Sequence, residues 1–207
     1  MSQLALPLVW PADPRDDAFL VGSSNEQAVR RLDRPDEWPV RTALLIGPRK
    51  SGRSLLARIF AAKHGGAIID DAARLPEAEL FHAWNRAQEG GRPLVLVADQ
   101  RPIGWGSRLP DLRSRLAASP VAEIGAPDDA LVRALLARQL ARRGLDARPD
   151  LVDWLAARIE RSHLALLRAV DALDARAMEQ RRGLSIPFAR ATLTESGLLS
   201  PVEPDPS

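Results

Sequence analysis

The sequence predicts an α/β fold: a reduced parallel sheet covered by helices, followed by an all-helical lid. Three observations predict it. An apolar strand runs into a glycine-framed loop and a helix start over residues 42–56. Short apolar runs then alternate with helical segments, as expected of a parallel sheet with crossover helices. Beyond Pro127 the strand signals stop and only helical patterns remain.

The elements follow in order. Ser24-Asn25-Glu26-Gln27 fits a capping box and starts a helix running to about Leu32. Val40 to Ile46 reads as the first strand, and the next helix spans about Ser54 to Lys63 until Gly65-Gly66 breaks it. Ala67-Ile68-Ile69 reads as a short buried strand ending in Asp70-Asp71. A helix from Glu77 to Gln88, a strand from Leu94 to Val97 ending at Asp99, and a strand near Val121 to Ile124 complete the alternating part. Helices are expected at about Asp128 to Arg143, Asp150 to Arg161, Ser162 to Arg182 and Pro187 to Leu193, the last with Ser185 as its cap. The organisation is an extended arm at 1–15, an α/β core at 16–126, a helical lid at 127–195 and a proline-rich tail at 196–207 that is expected to fray.

Composition narrows the function classes. The chain has 207 residues, 45% of them apolar, enough for a packed core. It has no cysteine, which excludes disulfides and thiolate metal sites and points to the cytoplasm. No window reaches the roughly 18 apolar residues of a membrane span. The pI of 9.8 suggests a nucleic-acid binder, but the net charge is only +2. With no Tyr or Cys, and with Lys50 and Lys63 as the lysines, little titrates between histidine and the guanidinium groups, so the pI overstates basicity.

The run Thr42-Ala43-Leu44-Leu45-Ile46-Gly47-Pro48-Arg49-Lys50-Ser51-Gly52-Arg53-Ser54-Leu55-Leu56 reads as a phosphate-binding P-loop. Gly47 and Gly52 let the backbone fold tightly and turn N–H groups inward. The helix that follows aims its positive dipole end at the same anion. Ser54 stands where such a motif's hydroxyl holds Mg²⁺. Arg53 replaces the usual lysine, putting a planar fork where a compact point charge is the rule. The plainer reading is a glycine-rich turn between strand and helix.

Carboxylates close the strands. Asp70 and Asp71 would stand beside the P-loop at the carboxyl edge of the sheet, one orienting Mg²⁺ and the other a water, and Asp99 would face the γ-phosphate. Aspartate at a strand end is also ordinary turn chemistry. His64, His82 and His163 show no metal-ligand spacing, and no Ser/His/Asp elbow is visible. At the N-terminus, Gln3-Leu4-Ala5-Leu6-Pro7-Leu8 alternates around a proline, which suits an extended segment lying in a partner's groove or against its own domain.

Several runs together resemble the AAA+ module of the DnaA-related family: Phe19 to Ala28, the P-loop, Ile69-Asp70-Asp71, Leu80 to Asn85, and Leu109-Pro110-Asp111-Leu112-Arg113-Ser114-Arg115-Leu116. The arm at 3–8, Arg53 and the lack of a C-terminal DNA-binding domain in this sequence resemble the Hda-like regulatory inactivators within that family. The resemblance runs from about Gln3 to Leu193. It implies that Gln3, Leu4, Leu6, Pro7 and Leu8 bind the DNA polymerase III sliding clamp, and that Arg115 is an arginine finger acting in trans on DnaA. It further implies that ADP or ATP sits on Val21, Gly47, Pro48, Ser51, Gly52, Arg53, Ser54 and Leu55, with Asp70 and Asp71 as Walker B and Asp99 as sensor 1. Mg²⁺ would be held by Ser54 and Asp70. The adenine pocket would form at Phe19 to Gly22.

The implied function is negative regulation of replication initiation, with weak or no ATPase activity of the chain's own. The implied partners are DnaA, the clamp, DNA indirectly through the clamp, and a second copy in a homodimer; no membrane is involved. Two departures from the family pattern bear on this. The chain between the P-loop helix and Asp70 is too short for the usual extra strand and helix, so four strands are expected with an edge strand missing. Leu164 falls where the sensor 2 arginine is expected, with Arg161 and Arg168 nearby. Competing readings are a self-sufficient P-loop ATPase or small-molecule kinase, and a DNA-binding or helicase-loading AAA+ protein; the near-neutral charge offers the latter little support.

Overall fold

A computed structural model describes residues 18–199, which divide into two units: one ending at Gly125, the other beginning at Ala126. The N-terminal arm, with the residues expected to bind the clamp, and the last part of the tail lie outside the described residues.

The first unit is built on four parallel strands: β1 (Thr42–Ile46), β2 (Ala67–Ile69), β3 (Leu94–Ala98) and β4 (Val121–Glu123), in the order β2-β3-β1-β4. The sheet therefore has the expected four strands, and the shortened crossover leaves β2 at an edge. β1 and β3 lie in the middle, buried along their whole length, which is why TALLI and LVLVA read as continuous apolar runs.

Successive side chains point to opposite faces. Ala43 and Leu45 of β1, with Val95 and Val97 of β3, meet α1 (Glu26–Leu32) and α2 (Arg53–His64) through Ala28, Leu32, Leu56 and Phe60. Leu44, Leu94 and Leu96 meet α3 (Glu77–Gly90) and α4 (Pro110–Ala118) through Leu80, Ala83, Leu112 and Leu116.

The second unit holds α5 (Asp129–Arg142), α6 (Pro149–Ala156), α7 (His163–Gln180) and α8 (Ile186–Glu195) around a leucine-rich core that includes Leu136, Leu140, Leu155, Leu173 and Leu193. Asp128, Ser162 and Ser185 cap α5, α7 and α8, each accepting a hydrogen bond from an N–H of the first turn.

Three sequence expectations are corrected. The capping box at Ser24 does not form: Asn25 is the N-cap and its side chain turns back, accepting from Gly22 N at 2.9 Å and donating to Leu20 O at 2.9 Å. β2 is half-buried rather than buried, because an edge strand lacks a neighbour on one side. α6 is also shorter than expected, ending at Ala156.

Candidate functional site

The candidate phosphate cradle lies where β1 ends. Ile46 pairs with Ala98, so Gly47 and Asp99 leave adjacent strands at the same level of the sheet. A Cβ on Gly47 would meet the Ile124 carbonyl oxygen at 2.8 Å and the Ile124 Cβ at 2.9 Å, a contact that glycine alone allows. The loop then turns through left-handed conformations at Lys50 (φ 65°) and Gly52 (φ 89°) and opens α2 at Arg53. Pro48 O accepts from Ser51 N at 3.3 Å, closing the loop. Phe19 packs across it, its ring 3.0 Å from where a Gly52 Cβ would sit, and Val21 packs at the edge of the same apolar cluster. Asn25, buried to 2% exposure, fixes the Leu20–Gly22 backbone that carries Phe19 and Val21 beside the loop.

Two buried polar atoms in this cradle have no partner: the Ser51 hydroxyl and Nη1 of Arg53. Buried polar groups are nearly always satisfied, so a pair of orphaned donors between glycines at a helix start fits an anionic oxygen ligand. The other edge of the Arg53 guanidinium binds Asp99, with the arginine side chain 11% exposed and the aspartate 47%. The structure thus brings Arg53 and Asp99 together. Ser54 and Leu55 follow on α2, both half-buried.

Asp70 and Asp71 stand apart in character. Both are exposed, Asp70 Oδ1 accepts from the Asp71 N–H at 3.0 Å, and Asp71 lies 4.0 Å from Arg74. The expectation of a buried strand delivering them is corrected by the edge position of β2. Among the described residues no cluster of three or more His, Asp or Glu could hold a metal ion by itself. Mg²⁺ commonly relies on one or two protein ligands plus phosphate oxygens; Ser54 on α2 and Asp70 at the end of edge strand β2 supply oxygen donors of that kind.

Arg115 lies in the last turn of α4. Its guanidinium carbon stands 4.2 Å from the Phe81 ring centroid and 4.9 Å from that of Trp84, both on α3. Nη1 is buried and without a hydrogen-bond partner. Glu77, at the start of α3, accepts from the Arg108 and Leu109 backbone N–H groups at 2.6 and 3.1 Å, fastening the entry of α4 to α3. Arg113 is exposed, and two positions earlier on a helix it points elsewhere. In the lid, Leu164 is half-buried, Arg168 is exposed on α7, and Arg161 pairs with Asp129 at 2.9 Å. Sequence reasoning missed the roles of Asn25 and Trp84; the i, i+3 spacing of Phe81 and Trp84 was the available signal for the second.

The strand order, the glycine-framed cradle opening α2 and the separate helical unit define a P-loop AAA+ module with a helical lid. Residues 128–193 match the family described as "Hda, lid domain". Residues 128–193 thus resemble the lid of Hda proteins, and the fold of the chain is that of DnaA-related AAA+ modules. Domain III of the Thermotoga maritima replication initiation protein DnaA has this fold, with a TM-score of 0.71 and 16% identity over 84% of this chain and 93% of that one. DnaA from Aquifex aeolicus bound to AMPPCP superposes with a TM-score of 0.64 and 16% identity, over 86% of this chain and 68% of that one. The Thermotoga maritima RuvB Holliday junction branch migration motor gives 0.58 and 18%, over 83% and 65%. An uncharacterised protein of Haemophilus influenzae is 30% identical over 118 residues. That match covers 56% of this chain and 51% of that protein, so the chain spans about half the length of this curated relative.

Proposed function

We propose that this chain is a negative regulator of chromosomal replication initiation, bound to the sliding clamp through Gln3 to Leu8 and stimulating hydrolysis of DnaA-bound ATP through Arg115 in trans. The observation that carries this reading is the match of residues 128–193 to the Hda lid domain. The state of Arg115 supports it, because a half-buried guanidinium with no carboxylate within 4.0 Å among the described residues keeps its charge for an incoming anion.

Hydrolysis of a nucleoside triphosphate develops charge on the transferring phosphoryl oxygens. An arginine supplied by a neighbour accelerates such a step by about 10³ to 10⁵. Here the Arg115 fork would meet those oxygens on DnaA, while the clamp holds both proteins on DNA. In this chain's own cradle, Gly47, Pro48, Ser51, Gly52, Arg53 and Ser54 would hold the phosphates of ADP. Val21 would lie against the base, and Ser54 with Asp70 would meet Mg²⁺. When bound, the ion would neutralise phosphate charge. The Arg53–Asp99 pair weighs against a self-sufficient ATPase, since the cation that would serve the phosphates is shared with a carboxylate.

The test is the ADP fraction on DnaA after incubation with clamp-loaded DNA. Arg115→Ala should fold normally and bind the clamp but no longer stimulate hydrolysis, while Arg113→Ala should retain at least part of the activity. An unaltered rate with Arg115→Ala would sink the trans-finger mechanism.

A further inference from the structure

Arg115 differs from several arginines of the first unit in how its charge is held. Arg41, Arg53 and Arg101, for example, pair with Asp36, Asp99 and Glu123. Arg115 has aromatic faces instead: Phe81 on one side at 4.2 Å and Trp84 at 4.9 Å. Stacking on a ring uses the face of the guanidinium and leaves its in-plane nitrogens without hydrogen-bond partners; Nη1 is buried, so Nε and Nη2 are the ones left for a second protein. A carboxylate would do the opposite, consuming the edge that binds phosphate. The stack is also braced from behind. Trp84 Nε1 donates to Ser119 Oγ at 3.2 Å, and Ser119 Oγ donates to the Arg115 carbonyl at 3.0 Å. Ser119 is 4% exposed, so this link is sheltered from water. Ring, hydroxyl and arginine backbone thus form a closed loop between α3 and α4, and the Glu77 contacts pin the far end of α4 to the same helix.

We propose that Phe81 and Trp84 are positioning residues that hold the Arg115 guanidinium by its face and aim its free edge at a phosphoryl oxygen carried by a second protein, with Ser119 fixing the Trp84 ring. This rests on Arg115 acting in trans. Neither ring touches the reacting atoms; they restrict the arginine to one direction before the partner arrives. A flexible arginine would have to be ordered at each encounter, and a misplacement of about 1 Å at a catalytic group costs on the order of 10²-fold in rate.

The experiment uses the full chain with DnaA, the clamp and DNA, following the maximal stimulated rate and the concentration giving half-maximal stimulation separately. Trp84→Leu and Phe81→Leu should each lower the maximal rate by about 10- to 100-fold with little change in the half-maximal concentration. Trp84→Phe, which keeps a ring face, should restore most of the loss. Adding Trp84→Leu to Arg115→Ala should cost nothing further. A second measurement does not depend on the variants folding: the Arg115 side-chain N–H proton of the wild-type chain should resonate upfield from ring currents, and Trp84→Phe should keep part of that shift. An unshifted wild-type resonance, or full stimulation by both leucine variants while Arg115→Ala is inactive, overturns the aromatic cradle and leaves the trans finger standing. Full stimulation by Arg115→Ala overturns both.

Discussion

At the scale of single residues, Arg53 and Asp99 pull the cradle in two directions. The guanidinium gives one nitrogen to the Asp99 carboxylate and leaves another buried without a partner, so under the proposed function a nucleotide would share it with Asp99. Asp99 is about half exposed, and half-exposed ion pairs contribute about 0.2 to 1 kcal/mol. Removing the carboxylate charge should therefore tighten ADP binding by roughly 1.5- to 5-fold. Calorimetry with ADP and millimolar Mg²⁺ on wild type and Asp99→Asn measures this directly; weaker binding by Asp99→Asn would make the aspartate a helper of the nucleotide rather than its rival. No heat up to about 1 mM ADP, about 4 kcal/mol of binding, would reduce the loop to scaffolding. Gly47 carries a stability prediction. A methyl group there meets backbone rather than a yielding side chain, so Gly47→Ala should cost about 1 to 3 kcal/mol, read as a lower denaturation midpoint with unchanged slope.

At the scale of elements, the lid rests on burial by helices that are individually short. Leu136 is 0% exposed among Leu140, Leu155 and Leu173. Leu136→Ala should destabilise the helical unit by about 2 to 5 kcal/mol, seen as an early loss of part of the far-ultraviolet helical signal on heating. These helices were legible in the sequence because their signals are local: Asp128, Ser162 and Ser185 stand at the caps, and apolar residues recur at helical spacing. The central strands were legible because burial on both faces leaves uninterrupted apolar runs. What escaped depended on neighbours distant in sequence. Asn25 was read as part of a local cap, yet its side chain serves the preceding loop. The half-burial of β2 follows from strand order, which no residue of Ala67-Ile68-Ile69 encodes. Arg115 was legible as a residue of interest, but its setting was not, because the rings beside it belong to α3.

At the scale of the whole molecule, the arm at 3–8 and the folded units have separable duties under the proposed function. Each buried leucine contributes roughly 1.5 to 3 kcal/mol before ordering costs. Replacing both Leu6 and Leu8 by Ala should abolish micromolar clamp binding in a surface-immobilised assay while the helical signal and melting stay as in wild type. Undiminished clamp affinity of the double variant would remove the arm from the interface.

The contrast between the two units also bears on how the chain acquires its structure. In the sheet, Thr42 must find Leu94, and Leu44 must find Val121, across long intervening stretches. In the lid, α5 meets α6, its successor, and α7, the next helix but one, and α7 meets its successor α8. Nonlocal pairing slows the search and local pairing shortens it, with typical refolding times of about milliseconds to seconds for the former and microseconds to milliseconds for the latter. Refolding after rapid dilution from denaturant should therefore resolve into two phases, with Leu136→Ala perturbing only the faster one. Growing chains on the ribosome would meet the reverse schedule: the slow sheet is synthesised before the rapid helices.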